Sequence, residues 1–348
     1  MTINNKIGSG AVKALSFLAL VAVLAVGSVF YLLLSGKPDG APVDLVIERG
    51  KSAAAVAEIL AAQGIIQQPG LFKLILRVTE ADKKLRAGEF HFRKEMRAID
   101  ALNTLYHGEP VLHADTIPEG WRMSQIAAAL HANKLIDENR FLTLATSPQT
   151  CAKYGFKTPT LEGFLFPTTY QFSRIDGEER ILDQMVSQFK RIYEKSYKKE
   201  CDRRGLTLER FVTMASIIEK ETGVANERPL VSSVFYNRLK KKMRLQSDPT
   251  TIYGISNFNG NLTKDDLHRY SPYNTYVIFD LPPGPIASPG EGSLKAALDP
   301  ATTDYLFFVA NTDSSGHIFS KTYGQHSRNV TNTQVAPLRK KHKAKKRR

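Results

Sequence analysis

Apolar residues are arranged along the chain in two ways, as one unbroken run near the start and as periodic stripes after it. From Ala14 to Leu34 there are 21 residues without a charge. At a rise of about 1.5 Å per residue, a helix of that length spans about 30 Å, the thickness of a bilayer core. The run passes through Phe30, Tyr31 and three leucines to Gly36 with no small-residue cleavage site, so it predicts a retained transmembrane helix (14–34) rather than a cleaved signal peptide. Lys6 and Lys13 lie in a short, acid-free N-terminal tail (1–13), which the positive-inside rule places in the cytoplasm, with the bulk of the chain across the membrane.

Beyond the run the pattern repeats at an offset of 70. Val46 to Gly50 leads into a helix with Val56, Ala57, Leu60, Ile65 and Ile66, and Thr116 to Gly120 leads into one with Ile126, Ala127, Leu130, Leu135 and Ile136. Each copy predicts a short strand, a Gly turn, an amphipathic helix and the start of a second helix, and the first adds a strand over Leu85 to Phe92. Helices are then expected over Ile181 to Lys199, Leu208 to Gly223, from Pro229 through Leu239, and over Ser293 to Leu298. A buried strand over Tyr305 to Ala310 and a hairpin turn at 313–316 leading into His317 to Lys321 close the pattern.

In the 208–223 helix, Leu208, Phe211, Val212, Ala215 and Ile218 share one face, Glu219 falls on its border, and Glu221 points well away. A carboxylate held against hydrocarbon has its charged form disfavoured, which moves its pKa toward the range of a neutral-pH proton donor. Glu219 is therefore the candidate general acid. The same spacing also suits an ordinary charged residue on the flank of a core helix, paired with Lys220 or Arg238. Asp248 is placed either to cap the short helical turn through Tyr253 or to act as a second carboxylate near Glu219. Glu162 and Tyr170 sit in the aromatic-rich segment Leu161 to Tyr170, which suits a sugar site, with aromatic faces beside short polar groups, or equally a core strand ending in a Pro turn. His317 and His326 are further candidates, although a lone histidine near a turn is commonly a surface or hydrogen-bonded residue.

Composition is that of a folded protein of about two domains, with 42% hydrophobic residues. The net charge of +14 is lopsided, because eight of the last ten residues are Lys or Arg. Such a tail suggests nucleic acid first. Its expected place across the membrane favours phosphate-rich envelope components instead, and no nucleic-acid partner is expected. Cys151 and Cys201 have no second pair and no His at ligand spacing, so no zinc site is indicated, and one disulfide or two free thiols both remain open. No spacing suggests a metal or an organic cofactor.

The strand, two helices and strand of the first copy resemble the LysM-type carbohydrate-binding module; any small α+β unit with the same punctuation would read alike. More specifically, ASIIEKET (Ala215–Thr222), NRLKKKMRLQSDPTTIYG (Asn237–Gly254), SPYNTY (Ser271–Tyr276), LPPGPIASPG (Leu281–Gly290), SLKAALDP (Ser293–Pro300) and GHIFSKTYGQH (Gly316–His326) follow one another in an order that resembles the YceG-like family, the endolytic murein transglycosylases. The basic tail is unusual against that pattern.

The resemblance implies an α+β protein: a LysM-like subdomain (43–110), a mixed α/β catalytic domain (111–335) and a basic tail (336–348). It implies Glu219 as the catalytic acid, with Gln246, Asp248, Tyr273, Asn274 and Thr275 holding the saccharide, joined by Tyr170 and Glu162. The reaction it implies cuts peptidoglycan between N-acetylmuramic acid and N-acetylglucosamine, leaves 1,6-anhydro ends and sets strand length at the bacterial inner membrane, with peptidoglycan synthases as partners. A muramidase using Glu219, Asp248 and water, and a non-catalytic wall-binding scaffold, are the alternatives.

Overall fold

The computed structural model describes residues 9–36, 39–78, 85–313 and 315–336. The basic tail expected over 336–348 lies almost wholly outside the described residues, as does Ser314 in the expected hairpin turn. The fold is mixed α/β and divides into two compact units, Met1–His113 with Phe172–Ile175, and Ala114–Gln171 with Asp176–Arg348.

In the first unit, α1 (Ser9–Leu34) covers the uncharged run. Part of its side chains lie outside the description, and among the described residues no helix is long and apolar enough to cross a membrane. There follow β1 (Pro42–Ile47), α2 (Ala53–Ala62), α3 (Pro69–Val78), β2 (Gly88–Arg93) and α4 (Ala98–His107). Strands β1 and β2 pair antiparallel, Pro42 opposite Arg93 and Ile47 opposite Gly88. Their inward residues close on α2 and α3 around Val56, Leu60, Phe72, Phe90 and Phe92. Ser52 starts α2 by accepting a hydrogen bond from the Ala55 N–H at 3.2 Å, which satisfies one of the otherwise unpaired amides of the first turn.

The second unit opens on the same plan, with β3 (His113–Thr116), α5 (Met123–Ala132), α6 (Glu138–Ala145), α7 (Pro148–Lys153) and β4 (Thr169–Phe172), the two strands forming a sheet. The offset of 70 holds in the backbone itself. Gly50 and Gly120 take φ of 77° and 74°, and Gly64 and Lys134 take 69° and 58°. Both copies close the helix end alike, Ile65 N–H on Leu60 O at 2.9 Å and Leu135 N–H on Leu130 O at 3.0 Å. Lys134 holds the left-handed conformation that Gly64 takes without a Cβ penalty, at a cost of about 1 kcal/mol.

The chain continues through α8 (Gly177–Ser196), α9 (Lys198–Arg204), α10 (Leu208–Glu221), α11 (Arg228–Lys240), α12 (Asp248–Tyr253), α13 (Lys264–His268), α14 (Glu291–Leu298), the hairpin β5 (Phe307–Ala310) and β6 (His317–Ser320), and α15 (Tyr323–Val330). Helix α10 is the axis of this unit. Every residue from Phe211 to Ile218 is buried, because α9, α11, α12 and α14 all pack on it. Over Phe211–Ile218 the helix has no solvent face, so the amphipathic division expected for it does not apply there, while Arg210 and Lys220 remain exposed. The segment Leu161 to Tyr170 is core: Leu161, Phe164, Leu165, Phe166 and Tyr170 are buried, and the Phe164 ring stacks on Phe156 with centroids 4.2 Å apart. The disulfide alternative is not realised, since Cys151 and Cys201 are both buried free thiols.

Candidate functional site

The last carboxylate of α10, Glu221, faces a cleft that gathers titratable groups. Glu221 lines a cavity of about 360 Å³ together with Arg238, Gln246, Asp248, Tyr276 and His326. Three neighbouring features build it. The turn after α11 brings Gln246 and Asp248 alongside, and Gln246 takes φ of 50°, a left-handed conformation rare for a side chain of its kind and of the sort held at functional sites. Arg238, at 7% exposure, ties that turn to β5 by donating to the carbonyls of Leu245 at 2.8 Å and Leu306 at 2.6 Å, and its guanidinium lies over the Phe307 ring at 5.1 Å. Tyr276 donates its hydroxyl to Asp248 Oδ1 at 2.6 Å, so Asp248 is held at the cleft wall by its side chain, and Ser247 rather than Asp248 occupies the cap position of α12.

Burial pushes the Glu221 carboxyl up to about 7, and the nearby Asp248 charge adds to this, while the Ser247 hydroxyl and the Arg238 guanidinium pull the other way. A carboxylic acid that keeps its proton near neutral pH and opens onto a cleft is equipped for general acid catalysis.

Glu219 lies in a different setting. Its side chain is 7% exposed, its Oε1 is 3.7 Å from Arg228 Nη2, and its Oε2 accepts a hydrogen bond from the Gly290 N–H at 3.1 Å. Gly290 is the residue before the first turn of α14, where backbone amides favour negative charge. Glu119 stands on the other side of Arg228 at 3.8 Å, and its carboxyl is raised first by burial and then by the charge of Glu219. A Cβ on Gly290 would overlap the Glu119 carboxyl, 1.9 Å from Cδ, so a larger residue there would displace that side chain. Glu219 is therefore paired neither with Lys220, which donates to the Gly120 carbonyl, nor with Arg238. Its surroundings are polar and not the hydrocarbon that the helix pattern suggested.

The profile of the YceG-like family matches residues 45–332. The chain belongs to the YceG-like family. It is 35% identical over 309 residues to a Bacillus subtilis protein named endolytic murein transglycosylase, covering 84% of this chain and 85% of that one. It is 28% identical to a Streptococcus pneumoniae protein of the same name, spanning 91% of this chain but 64% of the streptococcal length. A crystal structure of a yceG-like protein from Listeria monocytogenes superimposes with a TM-score of 0.58 at 32% identity, covering 82% of this chain and 98% of that one.

The structure of this YceG-like chain divides the residues singled out from sequence. Gln246 and Asp248 meet at the Glu221 cleft, and Glu219 does not join them. Asn274 and Thr275 are buried, at 1% and 0% exposure, and their polar atoms are satisfied within the fold. Asn274 donates to the carbonyls of Asp266, Leu267 and Arg269 and accepts from Thr251, while Thr275 Oγ1 accepts from the Ser247 N–H at 2.9 Å. Tyr273 packs its ring on Tyr253 with centroids 4.7 Å apart. Tyr170 donates to the Phe166 carbonyl at 2.6 Å. Glu162, 3% exposed, accepts from the Met123 N–H at the start of α5 at 2.9 Å and from Tyr253 at 3.2 Å; burial still pushes its carboxyl up to about 7. None of Tyr170, Tyr273, Asn274, Thr275 and Glu162 is among the residues that line the Glu221 cleft. His317 is held by Glu227, which accepts from its N–H at 2.8 Å and contacts Nδ1 at 2.7 Å. Sequence reading passed over Glu221, Arg238 and Tyr276. The motif ASIIEKET contains both glutamates, and only their different neighbours in the fold separate them.

Proposed function

We propose that this chain is an endolytic murein transglycosylase whose acid is Glu221. The observation that carries the assignment is the state of the Glu221 carboxyl, pushed up to about 7 while it faces a cleft shared with Asp248 and Gln246. Glu221 gives its proton to the oxygen between N-acetylmuramic acid and N-acetylglucosamine as the C1–O bond breaks. The muramic ring passes through an oxocarbenium-like state, supported by its own acetamido group. Glu221, now a carboxylate, takes the proton of the C6 hydroxyl as that oxygen closes onto C1. The product is a 1,6-anhydro end, and no water is consumed. Gln246, Asp248 and Tyr276 hold the sugar ring, and orientation contributes much of the rate because no second reactant enters.

The uncharged run Ala14 to Leu34 and the exposed apolar side chains Leu15, Phe17, Leu24 and Tyr31 on α1 support a single-pass anchor in the bacterial cytoplasmic membrane, with the catalytic unit outside the cytoplasm. The strand–helix–helix–strand plan of Pro42–Arg93 supports a LysM-like unit that grips the same polymer and raises its effective concentration at the cleft. Peptidoglycan synthases fit as partners, since an enzyme tethered to the membrane meets strands as they emerge.

A muramidase is the second reading, favoured by Asp248 at the same cleft, because two carboxylates can activate water. Incubating the full-length chain in detergent with uncrosslinked glycan strands and reading product ends by mass spectrometry separates them. Anhydro ends are expected. Reducing ends, one water heavier, would establish the muramidase, and intact strands would return the wall-binding scaffold.

A further inference from the structure

Behind Glu221 stands a hydroxyl that the reaction as described does not use. Ser247 is 1% exposed, and its Oγ donates a hydrogen bond to Glu221 Oε1. Among the described residues that hydroxyl has no other partner. Its backbone is held on both sides: the Ser247 N–H donates to Thr275 Oγ1 at 2.9 Å, and its carbonyl accepts from Thr250 Oγ1 at 2.7 Å. Thr250 and Thr275 are joined in turn, Oγ1 to Oγ1, at 2.8 Å, and both are 0% exposed. The result is a buried hydroxyl network with one free direction, toward the carboxyl of Glu221.

A carboxyl group has two oxygens and must present the right one. We infer that Ser247 is a positioning residue for the reaction, fixing the Glu221 side chain so that Oε1 is the accepting oxygen and Oε2 carries the proton that goes to the glycosidic oxygen. The chemistry follows from the inventory of the groups. A neutral carboxylic acid has one O–H and one carbonyl-type oxygen, and a serine hydroxyl that donates to Oε1 makes Oε1 the carbonyl-type oxygen. When Oε2 loses its proton and becomes the base for the C6 hydroxyl, Oε1 takes part of the negative charge. The same Ser247 bond then strengthens, because a hydrogen bond to an ionised acceptor is roughly twice as strong as a neutral one. It is therefore strongest at the stage where the carboxylate must exist, and it holds one geometry through both proton transfers. Thr275, expected from sequence to touch the saccharide, acts two bonds back by holding the backbone of Ser247.

The inference rests on Glu221 being the acid, and the test separates the two. Rates of anhydro-end formation are measured as a function of pH for the wild type, Ser247→Ala and Glu221→Gln, all full-length in detergent, together with their melting temperatures. Ser247→Ala is expected to lower kcat about 10- to 100-fold with KM unchanged. It should also move the alkaline limb of its pH profile upward, since the carboxylate has lost a donor, and leave Tm within a few degrees. Wild-type kcat in Ser247→Ala beside an inactive Glu221→Gln would overturn the role of Ser247 and leave Glu221 as the acid. Loss of activity with an unmoved alkaline limb and a lowered Tm would reduce Ser247 to a packing residue. A fully active Glu221→Gln would remove the acid assignment and with it anything for Ser247 to position.

Discussion

Glu219 and Glu221 stand two residues apart on α10, on opposite sides of one helix, and meet opposite electrostatics. Glu219 looks toward the first turn of α14, where a guanidinium and a backbone amide welcome its charge. Glu221 looks into a cleft where burial and a neighbouring aspartate oppose its charge. The first setting suits a group that stays ionised and ties helices together. The second suits a group that must give up a proton and take it back. Packing of other elements around α10 creates the contrast, because both carboxylates at its C-terminal end meet neighbouring protein groups, and those neighbours decide what each becomes.

Replacing each side in turn sharpens the contrast. The largest effect is expected from Glu221→Gln, which should lower kcat by about 10³-fold, within the span that general acid groups contribute, and leave Tm unchanged or slightly raised above pH 7. Glu219→Gln should instead cost about 2 kcal/mol of stability, read by denaturant or thermal melting, because it leaves Arg228 and the Gly290 amide without their charged partner. Glu162 tests the same physics away from the cleft. Its folded carboxyl is raised to about 7, so its contribution to stability is fully present below the ordinary carboxylate range and is lost as pH rises toward 7. That loss is at most about 3 kcal/mol between pH 4 and pH 8, and Glu162→Gln should flatten it in melts across that range. The smallest shift is expected from Asp248→Asn. With that negative charge removed, the alkaline limb of the rate profile should move to lower pH by a fraction of a unit, opposite in sign to the shift predicted for Ser247→Ala.

Local pattern was enough for most of the elements. The 70-residue repeat was legible because it is written twice, in apolar spacing and in the glycines at 50 and 120, whose positive φ the turn requires. Helix α10 was legible to within two residues of its end. What a one-dimensional pattern could not supply was the layer around it. Glu221 points away from the apolar face of the pattern, and that side of the helix is met by elements that come far along the chain, α12 and α14 among the contacts of α10. The same limit governs Leu161 to Tyr170, where aromatics beside polar groups fit a sugar platform and a core equally well, and the stacking of Phe156 on Phe164 decides for the core. Asn274 and Thr275 were drawn from a motif of the right region, but hydrogen-bond partners, not sequence order, determine that they face inward.

Delivery of the proton from the cleft side of α10 is tested by initial rates of 1,6-anhydro-end formation on uncrosslinked glycan strands for Glu219→Gln and Glu221→Gln at pH 6.5, with folding of each variant verified. Glu219→Gln is expected to keep its rate within about tenfold of wild type while Glu221→Gln loses about 10³-fold. The reverse ordering, with Glu221→Gln active and Glu219→Gln folded but inactive, would contradict it.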